Sequence, residues 1–187
     1  QTSAKRSVWA KSRAQLCAIS ANNEKILQLI DSALFVVCLD DSMPDTVASR
    51  AANMLHGSYQ LHESGMQKGT LCNRWYDKLQ IVVCANGVAG INFEHFSVDG
   101  QTVLRYVSDV FADSIIRFAS SITKTMHGKG YLRPVIDAPI VDAKKITNGP
   151  RIEPRRLSWD LDEGISMKIH YAETSLSDQI MQSDTAV

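Results

Sequence analysis

The chain lacks most of the features that identify a class of protein at once. No apolar run approaches the ~20 residues that cross a bilayer, and 20 basic residues balance 20 acidic ones among its 187 positions. A formal net charge of zero disfavours binding to nucleic acid or to an anionic membrane face. We therefore expect no nucleic-acid partner, and membrane association only through parts outside this chain. The chain starts at Gln1 without an initiator Met or a signal-like segment, so we expect mature processing or a piece of a longer protein.

Cysteine is scarce, and its spacing contains no metal or redox motif. The four cysteines are far apart and form no C-x-x-C pair: Cys17, Cys38, Cys72 and Cys84. Because Cys38 and Cys84 lie in apolar runs, we predict that both are small buried hydrophobes in a reducing compartment. His56 and His62 have no carboxylate or thiol at ligand spacing beside them. We therefore predict no metal site.

Apolar residues recur at helical spacing in several parts of the chain. This periodicity predicts helices over residues 7–18, 22–31, 46–55, 101–112, 114–126 and 161–181. A continuous apolar run over residues 33–39 predicts a strand that is covered on both faces. Residues 157–159 are predicted to open a further short strand.

Two stretches without periodicity are predicted to be irregular. Residues 58–70 contain two glycines and mixed polar residues, which favours an exposed loop. Residues 128–156 hold four of the five prolines, together with basic groups such as the Lys144-Lys145 pair. Because proline interrupts helices, this stretch is predicted to be a linker that crosses a surface.

The middle of the chain has the pattern of a β-hairpin. Residues 79–85 and 88–95 are rich in β-branched side chains and flank Asn86-Gly87, whose two positions tolerate positive φ. The pattern predicts two paired strands. His95 would then end the second one.

His95 is followed four residues later by Asp99, and then by Gly100. Histidine suits a general base because its ordinary pKa of ~6.5 lets it take up and return a proton near neutral pH. The same letters also fit a solvated histidine with no chemical role, because short motifs need structural context. The spacing thus makes His95 a candidate base, and Asp99 is also expected at the N-terminus of the following helix.

At this point the chain resembles the choline/carnitine acyltransferase family, in pieces that occur in the family's order and cover most of residues 8–115. The finer pattern after Asp99-Gly100 resembles the long-chain, inner-membrane members more than the acetyl-transferring ones. The matching pieces are Leu29-Ile30-Asp31-Ser32-Ala33 with Cys38-Leu39-Asp40-Asp41, Asn53-Met54-Leu55-His56-Gly57, Asn73-Arg74-Trp75-Tyr76-Asp77-Lys78, and Phe93-Glu94-His95 with Asp99-Gly100.

The resemblance implies an α/β fold, as part of a two-domain architecture like chloramphenicol acetyltransferase, with a mixed sheet flanked by helices. In this frame residues 1–127 would be the later part of the catalytic-histidine domain. Residues 128–156 would be a linker, and residues 157–187 the first elements leading into the second domain. Family members are much longer, so we expect this chain to be a fragment.

The implied activity is reversible transfer of an acyl group between coenzyme A and the hydroxyl of carnitine, within fatty acid and lipid metabolism. The family's base corresponds to His95, and its acidic residue, which pairs with an arginine of the other domain, corresponds to Asp99. Coenzyme A would be a cosubstrate, with no permanently bound cofactor. The expected partners are carnitine and acyl-CoA, and the expected location is mitochondrial, with peroxisomal or cytoplasmic as alternatives.

The run from Asn73 to Lys78 is interpreted chiefly as architecture, with buried Trp75 and Tyr76 and a local pair between Arg74 and Asp77. The family's coenzyme A lysines, carnitine-binding Tyr and Thr, and Ser-Thr-Ser segment are not found here. We therefore expect the fragment alone to be inactive. Three alternatives stay open: a non-catalytic structural or interaction module, a choline-specific enzyme, and another acyltransferase with the same histidine motif.

Overall fold

The computed structural model describes residues 2–64, 67–95, 98–127 and 153–182, with the backbone alone for residues 121 and 123–127. These ranges have a mixed α/β structure, as expected. The chain forms two compact units, one from residues 1–94 with 157–187 and one from residues 95–156. The helices and strands are α1 Arg6–Ile19, α2 Ala21–Asp31, β1 Val36–Asp40, α3 Val47–Leu55, β2 Gln80–Cys84, β3 Ala89–Asn92, α4 Gly100–His127 and α5 Glu163–Gln182.

Three helices of the first unit, α1, α2 and α5, enclose one apolar cluster. Leu16, Leu27 and Ile165 are buried together, and Trp159 packs against them. Ser20 separates the first two helices, and its hydroxyl accepts a hydrogen bond at 3.2 Å from the backbone N–H of Asn23, which caps the start of α2. The three helices predicted from periodicity in these regions are confirmed.

The strand predicted to open at residues 157–159 is wrong, because this segment is held by side chains and not by another strand. Asn23 is fully buried, and its amide donates to the carbonyls of Leu16 and Asp160 at 3.0 and 2.7 Å. Its carbonyl oxygen accepts from the backbone N–H of Asp160 at 2.9 Å. One buried amide thus supplies the partners that a strand would need. In this structure the segment therefore packs with α1 and α2. The expected domain boundaries stay a prediction.

The sheet of the first unit has the order β1-β2-β3. β1 is parallel to β2, with Val36 opposite Gln80 and Asp40 opposite Cys84. β2 is antiparallel to β3, with Gln80 opposite Asn92. Cys38, Val82 and Cys84 form the buried cluster of this sheet, so the prediction that both sheet cysteines are buried is confirmed.

The prediction that residues 33–39 form a strand covered on both faces is wrong in two respects. β1 begins only at Val36, and its side chains alternate between buried and exposed. Leu34 and Leu39 are 90% and 74% exposed. Because successive side chains of a strand point to opposite faces, one face of β1 is covered and the other is open in the described part of the chain.

The β2–β3 hairpin is confirmed, and its turn has three residues. The backbone N–H of Cys84 donates to the carbonyl of Val88 at 2.8 Å, and that of Gly87 donates to the carbonyl of Cys84 at 2.9 Å. Gly87 has a φ of +82°, whereas no described non-glycine residue has positive φ. This is a tight turn followed by a glycine bulge.

Helix α3 lies against β3 and is fixed at both ends. Thr46 and Ser49 form a capping box at its start. A Cβ on Gly90 of β3 would lie 2.6 Å from the sulfur of Met54, so a larger residue at this position would require the Met54 side chain to move. The loop over residues 58–70 is joined at its base, since the Ser58 N–H donates to the Thr70 hydroxyl at 2.9 Å.

In the second unit, one continuous helix covers both stretches for which helices were predicted, residues 101–112 and 114–126. Many of its large apolar side chains are exposed, including Phe111 at 67%. The predicted linker lies mostly outside the described residues, and its last four residues, 153–156, are neither helix nor strand. None of the helices in the described ranges is long and apolar enough to cross a membrane.

We predict that the 187-residue chain self-associates through its exposed apolar side chains. The double variant Leu39→Lys with Phe111→Lys should shift light scattering toward the monomer. The control pair, Gln28→Lys with Gln101→Lys, adds the same charge at exposed polar sites and should leave the association unchanged. A monomeric parent chain, or equal shifts in both pairs, would contradict the prediction.

Candidate active site

His95 lies in a turn beyond the end of the sheet, and its side chain is exposed. The expectation that it ends the second strand is wrong, because β3 ends at Asn92. The reason is the register: Asn92 pairs with Gln80, the first residue of β2. The next residue before it that would face β3 is Lys78, and its backbone N–H donates instead to the carbonyl of Trp75 at 3.3 Å. The hairpin therefore has no partner to offer beyond Asn92, and the chain leaves the sheet before His95.

The chain that leads to His95 is tied to two helices. The side-chain amide of Asn92 donates to the carbonyls of Met54 and Leu55, at the end of α3, at 3.3 and 3.0 Å. Glu94 forms an ion pair with Arg6, at the start of α1. These contacts fix the last residues before the histidine.

Asp99 is the N-cap of α4, as expected. Its Oδ1 accepts from the backbone N–H of Thr102 at 2.8 Å, and its carbonyl accepts from Val103 at 3.2 Å. The hydrogen bonds from the backbone and then the side chain of Thr102, with a further contribution from His95, hold the pKa of Asp99 below its ordinary value. Asp99 is therefore an ionised carboxylate at neutral pH, and it belongs to the same compact unit as His95.

A second cluster, which we name the Asp40 cluster, consists of Asp40, Asn53, Asn73 and Arg74. The side chains of Arg74 and Asp40 are both 0% exposed, and the guanidinium donates to both carboxylate oxygens, at 2.7 and 3.3 Å. The predicted pair between Arg74 and Asp77 is thus wrong. Arg74 is drawn into the interior because a buried carboxylate at the end of β1 needs a planar, bidentate donor.

The remaining lone pairs of Asp40 are also satisfied. Asn73 and Asn53 donate to its carboxylate at 2.9 and 3.2 Å. Burial raises the pKa of Asp40, but the hydrogen bonds from Arg74, Asn73 and Asn53 outweigh it and hold the pKa below its ordinary value. Arg74 also donates to the carbonyl of Asn53 at 3.2 Å, which joins α3 to the end of β1.

The neighbouring residues of the Asn73–Lys78 run serve the same assembly, so their interpretation as architecture is supported. Trp75 packs on the sheet core. The Tyr76 hydroxyl donates to the carbonyl of Leu55 at 3.3 Å, and burial raises its pKa. Gln80 exchanges two hydrogen bonds, both 3.1 Å, with the backbone of Trp75.

Several cysteines and histidines outside the motif are buried or hydrogen-bonded. Burial raises the pKa of the Cys38 thiol, and burial beside Glu173 raises that of Cys72 to about 11. His56 and His62 contact the Gly57 carbonyl and the Ser64 hydroxyl through Nδ1. The described residues contain no group of three His, Cys, Asp or Glu side chains placed to hold a metal ion.

The chain is similar to known proteins over its whole length. The family model for choline/carnitine O-acyltransferases matches residues 1–187, the whole chain. The chain belongs to this family. The family resemblance that the motifs indicated is confirmed.

Individual relatives cover most of this chain but only a small part of their own length. "Putative mitochondrial carnitine O-acetyltransferase" of Saccharomyces cerevisiae is 41% identical over 97% of this chain and 28% of that protein. Carnitine O-palmitoyltransferase 2, mitochondrial, of Xenopus tropicalis is 34% identical over 92% of this chain and 21% of that protein. The chain thus spans about a quarter of the curated relatives it matches. The relatives' names include both acetyl and palmitoyl transfer, so the greater likeness to long-chain members stays a prediction.

The Asp40 cluster brings together three of the pieces that carry the family resemblance. The pieces containing Asp40, Asn53 and Asn73-Arg74 lie 13 to 34 positions apart in the chain. The sequence predicted each piece as part of the family pattern, but it did not predict the contacts between them or the role of Asn92. The available signal was a charged residue directly after an apolar run, which calls for a buried counter-charge.

We predict that the Asp40–Arg74 pair is essential for stability. Arg74→Met leaves a buried carboxylate without its counter-charge and should lower the free energy of unfolding by ~3–5 kcal/mol in urea titrations. The double variant Arg74→Met with Asp40→Leu should recover part of that loss. Exposed Arg50→Met is the control and should change stability by less than about 0.5 kcal/mol.

The pH dependence follows from the lowered pKa of Asp40. Its contribution is fully present above the unfolded-state pKa of ~3.9 and is lost as pH falls through the lower folded-state value. Asp40→Asn should therefore show a shallower loss of stability below about pH 4 than the parent. Equal slopes would contradict this role.

Proposed function

We propose that the longer protein containing this chain transfers acyl groups reversibly between coenzyme A and the hydroxyl of carnitine, with His95 as the general base. The observation that carries this proposal is the exposed His95, in a turn four residues before an ionised Asp99, in a chain of the choline/carnitine acyltransferase family. The names of the acetyl- and palmitoyl-transferring relatives support carnitine as the acceptor.

The proposed chemistry needs an exposed, neutral imidazole. His95 takes the proton of the carnitine hydroxyl while its oxygen attacks the thioester carbonyl of acyl-CoA. The carbon–sulfur bond then breaks, and the departing thiolate takes the proton back from the imidazolium. In reverse, the same ring deprotonates the coenzyme A thiol. One group can serve in both directions because an imidazole can both accept and donate a proton.

Asp99 is proposed to act twice. As an N-cap it fixes the first turn of α4, which starts five residues after His95. As a charge it would pair with an arginine from the second domain of the longer protein. Its ionised state at neutral pH supports this second role.

The architecture of the longer protein is also a proposal. We infer a chloramphenicol-acetyltransferase-like pair of α/β domains, to which residues 1–127 contribute the later part of the histidine domain. Residues 128–156 would be the linker, and residues 157–187 would lead toward the second domain. In that arrangement the 187-residue chain is inactive by itself. The relatives' names support a mitochondrial location.

His95→Ala in the longer protein should lower turnover roughly 10²- to 10⁴-fold, because a positioned general base contributes a factor of about that size. The assay follows coenzyme A release from acyl-CoA with carnitine, and in parallel with choline. His170→Ala, at an exposed site on α5, is the matched control and should keep its activity. Normal turnover by a folded His95→Ala variant would refute the assignment, and a preference for choline would refute carnitine as acceptor.

Asp99→Asn separates the two roles of Asp99. Asparagine caps helices about as well as aspartate, so thermal unfolding should stay near that of the parent, while activity falls if the charge is needed. Asp99→Ala should lower both the thermal stability and the activity, because alanine neither caps the helix nor carries a charge. If Asp99→Asn keeps full activity, Asp99 serves as a helix cap alone.

A further inference from the structure

A groove of about 410 Å³ lies between α1 and α5 in the first unit. We name it the α1–α5 groove and define it by Lys5, Lys11, Trp9, Lys168 and Leu176, which line it. Neither His95 nor Asp99 lines it, and nothing in the acyl-transfer chemistry uses it.

The charge of this groove has one sign. Three lysines line it, and no carboxylate among the described residues does. The four acidic side chains on or just before α5 face elsewhere: Asp162, Glu163, Glu173 and Asp178. None of Lys5, Lys11 and Lys168 forms an ion pair within the described ranges. Lys168 donates a hydrogen bond to the neutral side chain of Gln15, whose amide donates to Asp162.

The start of α1 adds to this positive potential. Lys5 is the N-cap residue of α1, and no side chain caps the first turn, which also contains no acidic residue. The unpaired N–H groups of a helix start carry partial positive charge. Lys5 and the two residues before it line the groove, so this helix end adds its charge at one end of the groove.

The rest of the groove combines apolar side chains with hydroxyls. Along α5 the lining residues recur at helical spacing, with Ala172 and Leu176 facing Val8 and Trp9 of α1. Ser12 and Ser175 supply hydroxyl groups that can donate hydrogen bonds. A ligand that fits needs an anionic group for the lysines and an apolar body for the remaining wall.

We propose that the α1–α5 groove binds a phosphate group carried on an apolar body, as in an anionic lipid or a soluble alkyl phosphate ester. Lysine is a strong phosphate binder because its ammonium group presents a compact charge with three donors. The neutral net charge of the whole chain conceals this cluster, since the compensating carboxylates lie elsewhere. The binding is independent of acyl transfer.

The first test is a calorimetric titration of the 187-residue chain with two lipids that share short tails. Dihexanoyl phosphatidic acid should bind at least tenfold more tightly than dihexanoyl phosphatidylcholine, whose head group has no net charge. Added salt should weaken this binding. Inorganic phosphate should bind more weakly than the phosphatidic acid, because it lacks the apolar body. Equal binding of the two lipids would overturn the proposal.

Variants then locate the site. The triple variant Lys5→Gln, Lys11→Gln and Lys168→Gln should weaken phosphatidic acid binding at least tenfold. The control triple Lys25→Gln, Lys68→Gln and Arg50→Gln makes the same change in net charge at exposed sites outside the groove and should stay within twofold. Equal loss in both triples would mean that general charge, and not the groove, attracts the ligand.

Two more measurements complete the test. Ser175→Phe keeps every charge but fills the apolar wall, and it should weaken binding while circular dichroism stays unchanged. Vesicles with and without phosphatidic acid distinguish the source: lysine-dependent sedimentation indicates a lipid surface, and binding of monomers alone indicates a soluble ester. Binding to neither would refute the site. His95→Ala should leave all of these results unchanged, so the proposal stands or falls separately from acyl transfer.

Discussion

The buried pair of Asp40 and Arg74 is the interaction on which the sheet of the first unit and the segments around it depend. It lies where β1 ends, and its hydrogen bonds reach α3 through Asn53 and the following loop through Asn73. Two buried charges are tolerated only when geometry and neighbouring donors satisfy them. Because a bidentate pair with further amide donors meets that condition, it holds strand, helix and loop in one arrangement.

The end of β3, which precedes the candidate base in the chain, depends on this arrangement through α3. Arg74 and Tyr76 donate to the carbonyls of Asn53 and Leu55 at the end of α3. From the end of β3, Asn92 donates to the carbonyls of Met54 and Leu55. The last turn of a helix leaves its carbonyls without partners in the helix. Here side chains from two segments supply those partners, so the strand end that precedes His95 is joined to the buried pair. The Asn73–Lys78 run thereby supports the residues that precede the candidate base.

Charge in this chain is organised locally. Twenty positive and twenty negative side chains cancel overall, yet Asp40 and Arg74 are buried in contact, while three lysines share a groove without a carboxylate in its lining. Interactions between exposed charges are largely screened beyond about 8 Å in physiological salt. Binding is therefore decided by which groups adjoin a surface, and net charge is a poor guide to it.

The sequence by itself determined the local elements and the candidate base. Helical spacing predicted α1, α2, α3 and α5, Asn86-Gly87 predicted the hairpin, and His95 with Asp99 followed from chain order alone, because each rests on neighbours within a few residues. Only the tertiary structure decided where β3 ends and that one face of β1 is open. It also decided that Arg74 pairs with Asp40, and that the backbone of Asp160 is hydrogen-bonded to the Asn23 side chain and not to another strand. Those outcomes depend on strand register and on contacts with residues up to 137 positions away. Such contacts form only when folding brings distant segments together, so local sequence patterns do not reveal them.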